Sequence, residues 1–443
     1  MSPDSEKALT GIFDAAIEAA DPYEALLRSV KIDGTRMTVP GAIYDLDAFE
    51  RIVVVGAGKA SARMALALEK ILGPEIADGL ILVKEGHREK LDFIEQIEAS
   101  HPIPNEAGEN GARRILEMAR AADEKTLLLC LFSGGASALL SAPAQGVTLE
   151  DKRRATSLLL RCGASIDETN AVRKHLSSVK GGRLAQEAYP AQVLSLIVSD
   201  VVGNRLDVIA SGPTARDGTT FLDAWHVVHK YALNMPSRIM DHLELGMQGK
   251  IDETLKNGPC LDLIRNVIIA DIGLALSAAK ERSIQLGFDA EIVCDNLQGE
   301  ARDAAHFLSE IVRSKTARHE PGSKMCLLCG GETTVTVHGS GMGGRNQELA
   351  LAFALETEGM DGIAMLSAGT DGGDGPLDAA GAMVDGNTIP LARGLGMNPE
   401  RYLDSNDSYG FFSRFDLLSE GRSHFRTGPT GTNVMDIQIM LLG

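Results

Sequence analysis

The chain has 443 residues, which is enough for two domains, and its 44% of hydrophobic and 23% of charged residues are typical of proteins with a folded core. Its formal net charge of -18 argues against a nucleic acid or an anionic membrane as a partner, because both require a basic surface. The acidic start of the chain has no signal-peptide pattern, and no apolar run approaches the ~20 residues that span a bilayer, so we expect a cytoplasmic protein.

The first part of the chain contains a strand, a glycine turn and a helix in direct succession, after a predicted opening helix over Ser5 to Val30. Residues 51–70 read RIVVVGAGKASARMALALEK, in which the turn consists of Gly56, Ala57 and Gly58. Lys59 follows at the start of the helix, where free N–H groups and the helix dipole favour an anion. A purely structural turn with an exposed lysine is the alternative, because the third glycine of a dinucleotide fingerprint is missing.

A second strand and glycine turn have the same construction. Thr126 to Phe132 is a continuously apolar strand, and the turn after it contains Ser133, Gly134, Gly135 and Ser137. Asp200 follows a third predicted strand, Val193 to Val198. Parallel strands end at one edge of their sheet, so these turns should face the crevice in which α/β sheets bind ligands.

The segment from Asp167 to Glu187 combines a helical pattern with five basic residues, which are Arg173, Lys174, His175, Lys180 and Arg183. The solvated face of a surface helix is one interpretation of this cluster. Gly181 and Gly182 interrupt the pattern, however, at a cost of about 1 kcal/mol each in a helix interior. We therefore expect another part of the chain to approach the backbone closely at these glycines.

The most natural break in the chain is Asn257-Gly258-Pro259. We predict an α/β protein with a large Rossmann-like parallel-sheet domain over residues 1–257 and a smaller mixed-sheet α/β domain over residues 258–443. Two short strands around a glycine pair, Met325 to Cys329 and Thr333 to Val337, indicate the mixed sheet. Cys326 and Cys329 lie in an apolar run, which favours buried thiols over a zinc site.

Two glycine-rich turns in the second domain carry charged side chains. Asp371 and Asp374 are three residues apart, and Mg2+ requires only one or two carboxylates beside substrate phosphates and water. A turn in which both aspartates bind their own backbone is the alternative. Arg345 begins a predicted helix after two glycines and suits bidentate contact with a carboxylate or phosphate. A structural ion pair between Arg345 and Glu348 is the competing interpretation.

These residue types supply what phosphoryl transfer requires, namely cations, a site for a metal ion and a group that positions the attacking hydroxyl. The chain has no Walker A motif and neither the H-R-D nor the D-F-G motif of protein kinases. The residues alone therefore predict a two-domain α/β enzyme that acts on a small anion with a nucleotide and magnesium.

Nine motifs together resemble the class II glycerate 2-kinase family, whose C-terminal module is called MOFRL and whose members are often labelled hydroxypyruvate reductases. The resemblance covers nearly the whole chain in order. The motifs are VGAGKAS (55–61), FSGGASALL (132–140), NAVRKHLSSVKGGRLA (170–185), SDVVGN (199–204), ASGPT (210–214), GGETTV (330–335), GGRNQELAL (343–351), GTDGGDGP (369–376) and TGPTGTNVMDI (427–437).

The resemblance implies ATP-dependent phosphorylation of D-glycerate at its 2-hydroxyl, with a divalent cation, in a cleft between two domains. It implies that Lys59 and Arg345 are catalytic cations, and Asp200 is the candidate that orients or deprotonates the hydroxyl. Asp371 and Asp374 would hold Mg2+ directly or through water. The nucleotide would contact Gly56, Gly58, the Ser133–Ser137 turn (Ser133, Gly134, Gly135 and Ser137) and the residues Thr430, Thr432 and Asn433.

The main alternative is an NAD(P)H-dependent hydroxypyruvate reductase, which would require a complete dinucleotide fingerprint and an acidic residue about 20 positions later. A binding protein without catalysis is a third interpretation. Asn204 stands where the family has a second aspartate, which argues against a metal role for this position. The sequence leaves the oligomeric state open and allows a homodimer.

Overall fold

The structure, a computed structural model, describes residues 1–317 and 322–443. Contacts between Cα atoms divide the chain into two units. The central unit is Pro22–Ile269, and the terminal unit combines Met1–Asp21 with Ala270–Gly443. Across the described residues, no helix has both the length and the hydropathy that crossing a bilayer requires.

The central unit is built on a six-stranded sheet with the order β6-β5-β4-β7-β8-β9. The pairs from β6 to β8 are parallel. Every residue of β7 is buried, as expected for a parallel strand covered on both faces. The strands are β4 (Arg51–Ala57), β5 (Ile76–Lys84), β6 (Glu95–Ala99), β7 (Thr126–Phe132), β8 (Gln192–Val198) and β9 (Ile264–Ala270), and a small antiparallel sheet contains β1 (Lys31–Asp33), β2 (Arg36–Val39) and β3 (Ala42–Asp45).

Four helices of the central unit, α4, α6, α7 and α9, begin at side-chain caps. Thr148 and Asp151 form a capping box at one helix, and Ser165 and Glu168 form another. The helices are α2 (Pro22–Ser29), α3 (Ser61–Leu72), α4 (Glu106–Arg120), α5 (Ala136–Leu139), α6 (Leu149–Arg161), α7 (Ile166–His175), α8 (Arg183–Ala188), α9 (Phe221–Lys230) and α10 (Ser237–Met247).

The terminal unit contains a mixed sheet with the order β10-β11-β15-β12-β13-β14. Only the pair β10 and β11 is parallel among the pairs described, and the others are antiparallel. A parallel sheet and a separate mixed sheet confirm the predicted α/β fold. The strands are β10 (Asp289–Leu297), β11 (Met325–Gly331), β12 (Ile363–Gly369), β13 (Gly381–Asp385), β14 (His424–Phe425) and β15 (Asp436–Leu442).

The helices of the terminal unit are α1 (Pro3–Ala19), α11 (Ile272–Gln285), α12 (Ala301–Thr316), α13 (Arg345–Glu356), α14 (Thr388–Gly394), α15 (Pro399–Asp404) and α16 (Ser408–Ser419). Eight of the nine residues from Asn346 to Ala354 on α13 are less than 5% exposed, so this helix lies in the core of the unit. Cys326 and Cys329 are buried free thiols, as predicted.

The first helix groups with the end of the chain rather than with residues 22–257. α1 packs on α11 and β15, and its Phe13 ring meets the Phe425 ring edge-on at 5.1 Å. The hydroxyl of Thr432 also donates to the carbonyl of Ala20 over 2.7 Å. The apolar face of α1 therefore finds its partners more than 250 residues away along the chain, which a boundary drawn from sequence order does not capture.

Three local elements differ from the sequence-based expectation. The opening helix is interrupted between Ala19 and Pro22, where the chain passes from one unit to the other. The segment 167–187 divides into α7 and α8 because Gly181 and Gly182 adopt positive φ angles and a Cβ on either would meet Thr254 or Leu255. Residues 333–337 form no strand and make only one isolated bridge, between Glu300 and Thr334.

We predict that Phe13→Ala destabilises the protein, because the ring is fully buried and leaves a cavity beside Phe425. The expected loss in free energy of unfolding is about 3 kcal/mol. The measurement is the denaturant midpoint followed by far-UV circular dichroism. Phe307→Ala is the matched control, because that ring lies on the same unit and is 48% exposed. Equal midpoints for the two variants would contradict the packing of α1.

Candidate active site

Three turns of the central unit meet at the carboxyl edge of its sheet. β4, β7 and β8 are neighbouring parallel strands, and they lead into Lys59, Ser133 and Asp200 respectively. The backbone N–H of Lys59 donates to the carbonyl of Gly134 over 2.8 Å. The hydroxyl of Ser133 accepts the N–H of Ala60 at 3.0 Å. The sequence therefore predicted correctly that these turns lie side by side.

Two glycines of these turns leave space that polar side chains occupy. Gly58 has a φ of 144°, and a Cβ on it would lie 2.0 Å from the hydroxyl oxygen of Ser133. A Cβ on Gly134 would lie 2.1 Å from a carboxylate oxygen of Asp200. Gly56, in contrast, faces the backbone of β7, where a Cβ would meet the carbonyl oxygen of Leu131 at 2.4 Å. Gly56 thus packs two strands together, while Gly58 and Gly134 shape the turns.

Lys59 lies beside two histidines that the sequence analysis missed. A Cβ on Gly135 would contact both Lys59 and His101, at 3.3 Å and 3.2 Å. Burial, together with the positive charges of Lys59 and Lys84, lowers the pKa of His101 to about 4. The same causes lower the pKa of His87. His101 is therefore a neutral imidazole at physiological pH, and no motif of the sequence marks it.

Ser137 forms hydrogen bonds with residues that are distant in the sequence. Its hydroxyl lies 2.8 Å from the hydroxyl of Ser211, and its carbonyl accepts the ammonium of Lys180 at 2.7 Å. Ala210 and Ser211 both adopt positive φ angles, which strain non-glycine residues by about 1–3 kcal/mol each. The ASGPT motif thus contacts Ser137 through Ser211, and a role of Ser137 at a nucleotide phosphate stays a prediction.

In the terminal unit, Arg345 is held by two carboxylates, that of Asp436 at the start of β15 and that of Glu332 just after β11. Its guanidinium makes a bidentate pair with Asp436, at 2.6 and 2.9 Å, and a further contact of 2.7 Å with Glu332. Burial lowers the pKa of Arg345, but the hydrogen bond and charge of Asp436 outweigh this effect, so the pKa is raised. Glu348 does not pair with Arg345; it contacts Arg302 instead, so that interpretation was wrong.

Asp374 caps the helix that begins at Arg345. Its two carboxylate oxygens accept the backbone N–H groups of Asn346 and Gln347, each at 2.9 Å, and the side-chain amide of Gln347. A Cβ on Gly344 would lie 2.2 Å from the carboxyl carbon of Asp374, so only glycine leaves room for this cap. Because both oxygens accept N–H donors, a metal ion would have to displace the cap.

Asp371 lies at the same sheet edge as Glu332, Arg345 and Asp436. Burial raises the pKa of Glu332, and the charges of Asp436 and Asp371 raise it further, against the lowering effect of Arg345. Asp436 and Glu332 contact the guanidinium of Arg345, and the charge of Asp371 acts on Glu332, so carboxylates outnumber cations here and this excess of negative charge fits a divalent cation. Among the described residues, no group of three or more His, Cys, Asp or Glu side chains has an arrangement that could hold a metal ion by itself.

The loop over residues 427–435 packs against the loop that follows β12. Thr430 donates its hydroxyl to the carbonyl of Thr370 at 2.5 Å, and Thr432 donates to Ala20. The side-chain oxygen of Asn433 accepts the N–H of Met435 at 3.1 Å. These three side chains stabilise the loop, and their contact with a nucleotide phosphate stays a prediction. The structure brings them to the same sheet edge as Asp371, because β12 and β15 are antiparallel neighbours.

Comparisons with known proteins agree over the full length of the chain. Residues 8–244 match the family described as "Domain of unknown function (DUF4147)", and residues 325–436 match the MOFRL family. A D-glycerate 2-kinase of Thermotoga maritima is 42% identical over 100% of both chains. An Agrobacterium vitis protein with the provisional name hydroxypyruvate reductase is 41% identical over 89% of this chain and 100% of its own length.

A solved structure supports the same relationship. The crystal structure of a glycerate kinase from Thermotoga maritima superposes with a TM-score of 0.86, at 40% sequence identity, and the match covers 100% of each chain. Identity of this level over whole chains shows common descent as well as a common fold. This chain belongs to the class II glycerate 2-kinase family.

Proposed function

We propose that this protein is a glycerate 2-kinase, which transfers the γ-phosphoryl group of ATP to the 2-hydroxyl of D-glycerate. The hydroxyl oxygen forms a bond to the γ-phosphorus, the bond from that phosphorus to the β,γ-bridging oxygen breaks, and ADP leaves. The hydroxyl proton passes to a base. The products are 2-phosphoglycerate and ADP. The observation that carries this proposal is the grouping of Lys59 and Asp200 around the Ser133–Gly135 turn at three adjacent strand ends.

In the central unit, Lys59 would neutralise charge on the transferred phosphoryl group. Asp200 would accept the hydroxyl proton or orient the hydroxyl, because its carboxylate is held over Gly134 at the same sheet edge. The neutral imidazole of His101 would position Lys59 without adding a competing positive charge. The glycine turns would offer backbone N–H groups to phosphate oxygens, a role for which Gly58, Ser133, Gly134 and Gly135 are placed.

In the terminal unit, Arg345 would stabilise charge that develops in the transition state. Asp436 and Glu332 fix its orientation, so its position needs little reorganisation during the reaction. Asp371 would hold Mg2+, with Asp374 supporting the loop from the helix terminus. Bound Mg2+ would neutralise the ATP phosphates and polarise the transferred group.

The relatives named as reductases raise the alternative of hydride transfer with NAD(P)H. The turn between β4 and α3 argues against hydride transfer. The Ser133 hydroxyl occupies the space beside Gly58, and Lys59 lies where a dinucleotide would approach the turn. The six free cysteines fit a reducing compartment, and we further propose a cytoplasmic location.

The first test is a pair of assays on the purified protein. With D-glycerate, ATP and Mg2+, we expect 2-phosphoglycerate and ADP in equal amounts, with the isomer identified by NMR. With hydroxypyruvate and NADH, we expect no oxidation of NADH. Consumption of NADH without phosphoryl transfer would overturn the proposed function.

Replacing Lys59 tests the role of the first turn. Because Lys59→Ala removes a charge that contacts the transferred group, we expect kcat to fall about 100-fold or more. Lys90→Ala is the control, because that lysine is exposed in the same unit. Circular dichroism should be the same for both variants. A kcat of Lys59→Ala close to that of the wild type would remove Lys59 from the mechanism.

Replacing the two aspartates of the GTDGGDGP loop should change different properties of the protein. Asp371→Asn should raise the Mg2+ concentration needed for half-maximal activity and leave thermal stability nearly unchanged. Asp374→Asn should lower stability by about 1–2 kcal/mol, because it weakens the cap of α13. Mg2+ titrations of activity and melting curves test both. An unchanged Mg2+ requirement in Asp371→Asn would refute its metal role.

A further inference from the structure

The central unit contains a cluster of buried cations that the roles above do not use. Lys152 on α6, Arg173 on α7 and Lys180 after α7 line one small cavity. Lys152 is 7% exposed and Lys180 is 1% exposed. Three positive side chains of different elements therefore converge on the same interior space.

This cluster lacks the carboxylates that normally accompany buried cations. Within the part of the chain that the structure describes, the ammonium of Lys152 has no hydrogen-bond partner. Lys180 donates only to neutral groups, the carbonyl of Ser137 at 2.7 Å and the hydroxyl of Ser211 at 3.4 Å. Arg173 shares the Ser137 carbonyl at 3.4 Å.

The neighbouring Lys174 is also buried, but carboxylates neutralise its charge. Lys174 is 1% exposed, as deeply buried as Lys180. Its ammonium forms ion pairs with Asp217 at 3.1 Å and with Asp207 at 3.3 Å. An unpaired buried charge is strongly unfavourable. The contrast between the paired Lys174 and the cavity lysines therefore indicates that the cavity binds an anion.

The electrostatics of the cluster agree with this interpretation. Burial and, to a smaller extent, the charge of Arg173 lower the pKa of Lys152 to about 7, against the raising effect of Glu109. Burial also lowers the pKa of Lys180 well below its ordinary value, with added repulsion from Arg173, Lys152 and Lys174. A bound anion would relieve this repulsion and return protons to the lysines.

The size and walls of the cavity limit what can enter it. Its volume is about 30 Å3, so only a group of very few atoms can enter, and a base or a sugar is excluded. The rest of the wall is mostly apolar and consists of Pro102, Pro104, Ala155, Leu159, Val172 and Leu176. Apolar walls strengthen the attraction between the cations and an oxyanion.

We propose that Lys152, Arg173 and Lys180 form a buried binding site for a small oxyanion, either the carboxylate of the acid substrate or inorganic phosphate. The assignment to the substrate rests on the proposed function. The carbonyl of Ser137 accepts hydrogen bonds from Lys180 and Arg173. Ser137 is only two residues after Gly135, and Gly135 lies next to the side chain of Lys59. Arg345 already directs its guanidinium at Asp436 and Glu332, which leaves recognition of the substrate carboxylate to other cations.

Calorimetric titration of the full-length protein, without nucleotide, tests the site directly. We expect wild-type protein to bind inorganic phosphate or D-glycerate, and Lys152→Met to bind at least about 10-fold more weakly. Binding at pH 8 should take up protons, because the anion favours the charged form of Lys152; titrations in buffers of different ionisation enthalpy measure this. Lys250→Met is the control, because that lysine is exposed in the same unit.

Melting curves of the unliganded variants separate this role from a structural one. Lys152→Met should melt at the same or a higher temperature than the wild type, because it removes a buried nitrogen that has no hydrogen-bond partner. Lys174→Met should melt at a lower temperature, because it leaves Asp217 buried without its partner. A clear drop in the melting temperature of Lys152→Met would contradict the proposal.

Kinetics identify the source of the oxyanion. A raised KM for D-glycerate in Lys152→Met, with kcat little changed, assigns the site to the substrate carboxylate. Phosphate binding that depends on Lys152, with an unchanged KM for D-glycerate, assigns it to inorganic phosphate. Absence of binding by the wild type, or equal binding by Lys152→Met, overturns the proposal. Lys152-dependent binding in a protein that does not phosphorylate glycerate would instead refute the proposed function and leave the site standing.

Discussion

Polar side chains that fill the space of missing glycine Cβ atoms hold the loops of both units in place. Asp374 reaches over Gly344 to cap α13, and Asp200 lies over Gly134 in the same way. In each case a carboxylate approaches the backbone of a loop from another strand end. The fold of each sheet edge therefore depends on two distant residues at once, a glycine and an acid, and a side chain at the glycine would dislodge the acid.

The two units differ in the sign of the charge near the edges of their sheets. In the terminal unit, carboxylates outnumber the guanidinium of Arg345, so the local field attracts cations. In the central unit, Lys59, Lys84 and the cavity cluster give a positive field inside a protein of net charge -18. An acidic surface with positive interior sites keeps the protein from binding polyanions, while small anions can still enter.

The strand ends could be predicted from sequence because continuous apolar runs and glycine turns follow from local chemistry. That rule correctly brought Lys59, Ser133 and Asp200 together. The partner of Asp374 could not be predicted, because Gly344 and Asp374 are 30 residues apart and carry no shared pattern. Lys152 lies in a run of five charged residues at the start of α6, Glu150 to Arg154, and only tertiary packing buries it. His101 follows no motif, and its neutrality arises from the fold alone.

The attachment of α1 to the terminal unit has a consequence for how the chain matures on the ribosome. The residues of α1 leave the ribosome before the central unit, whereas α11 follows that unit and Phe425 and β15 emerge later still. The central unit is complete in the meantime, since all of its residues lie between the two parts of the terminal unit. During that interval the apolar face of α1 has no permanent partner, and a nascent chain in this state is a natural client for chaperones.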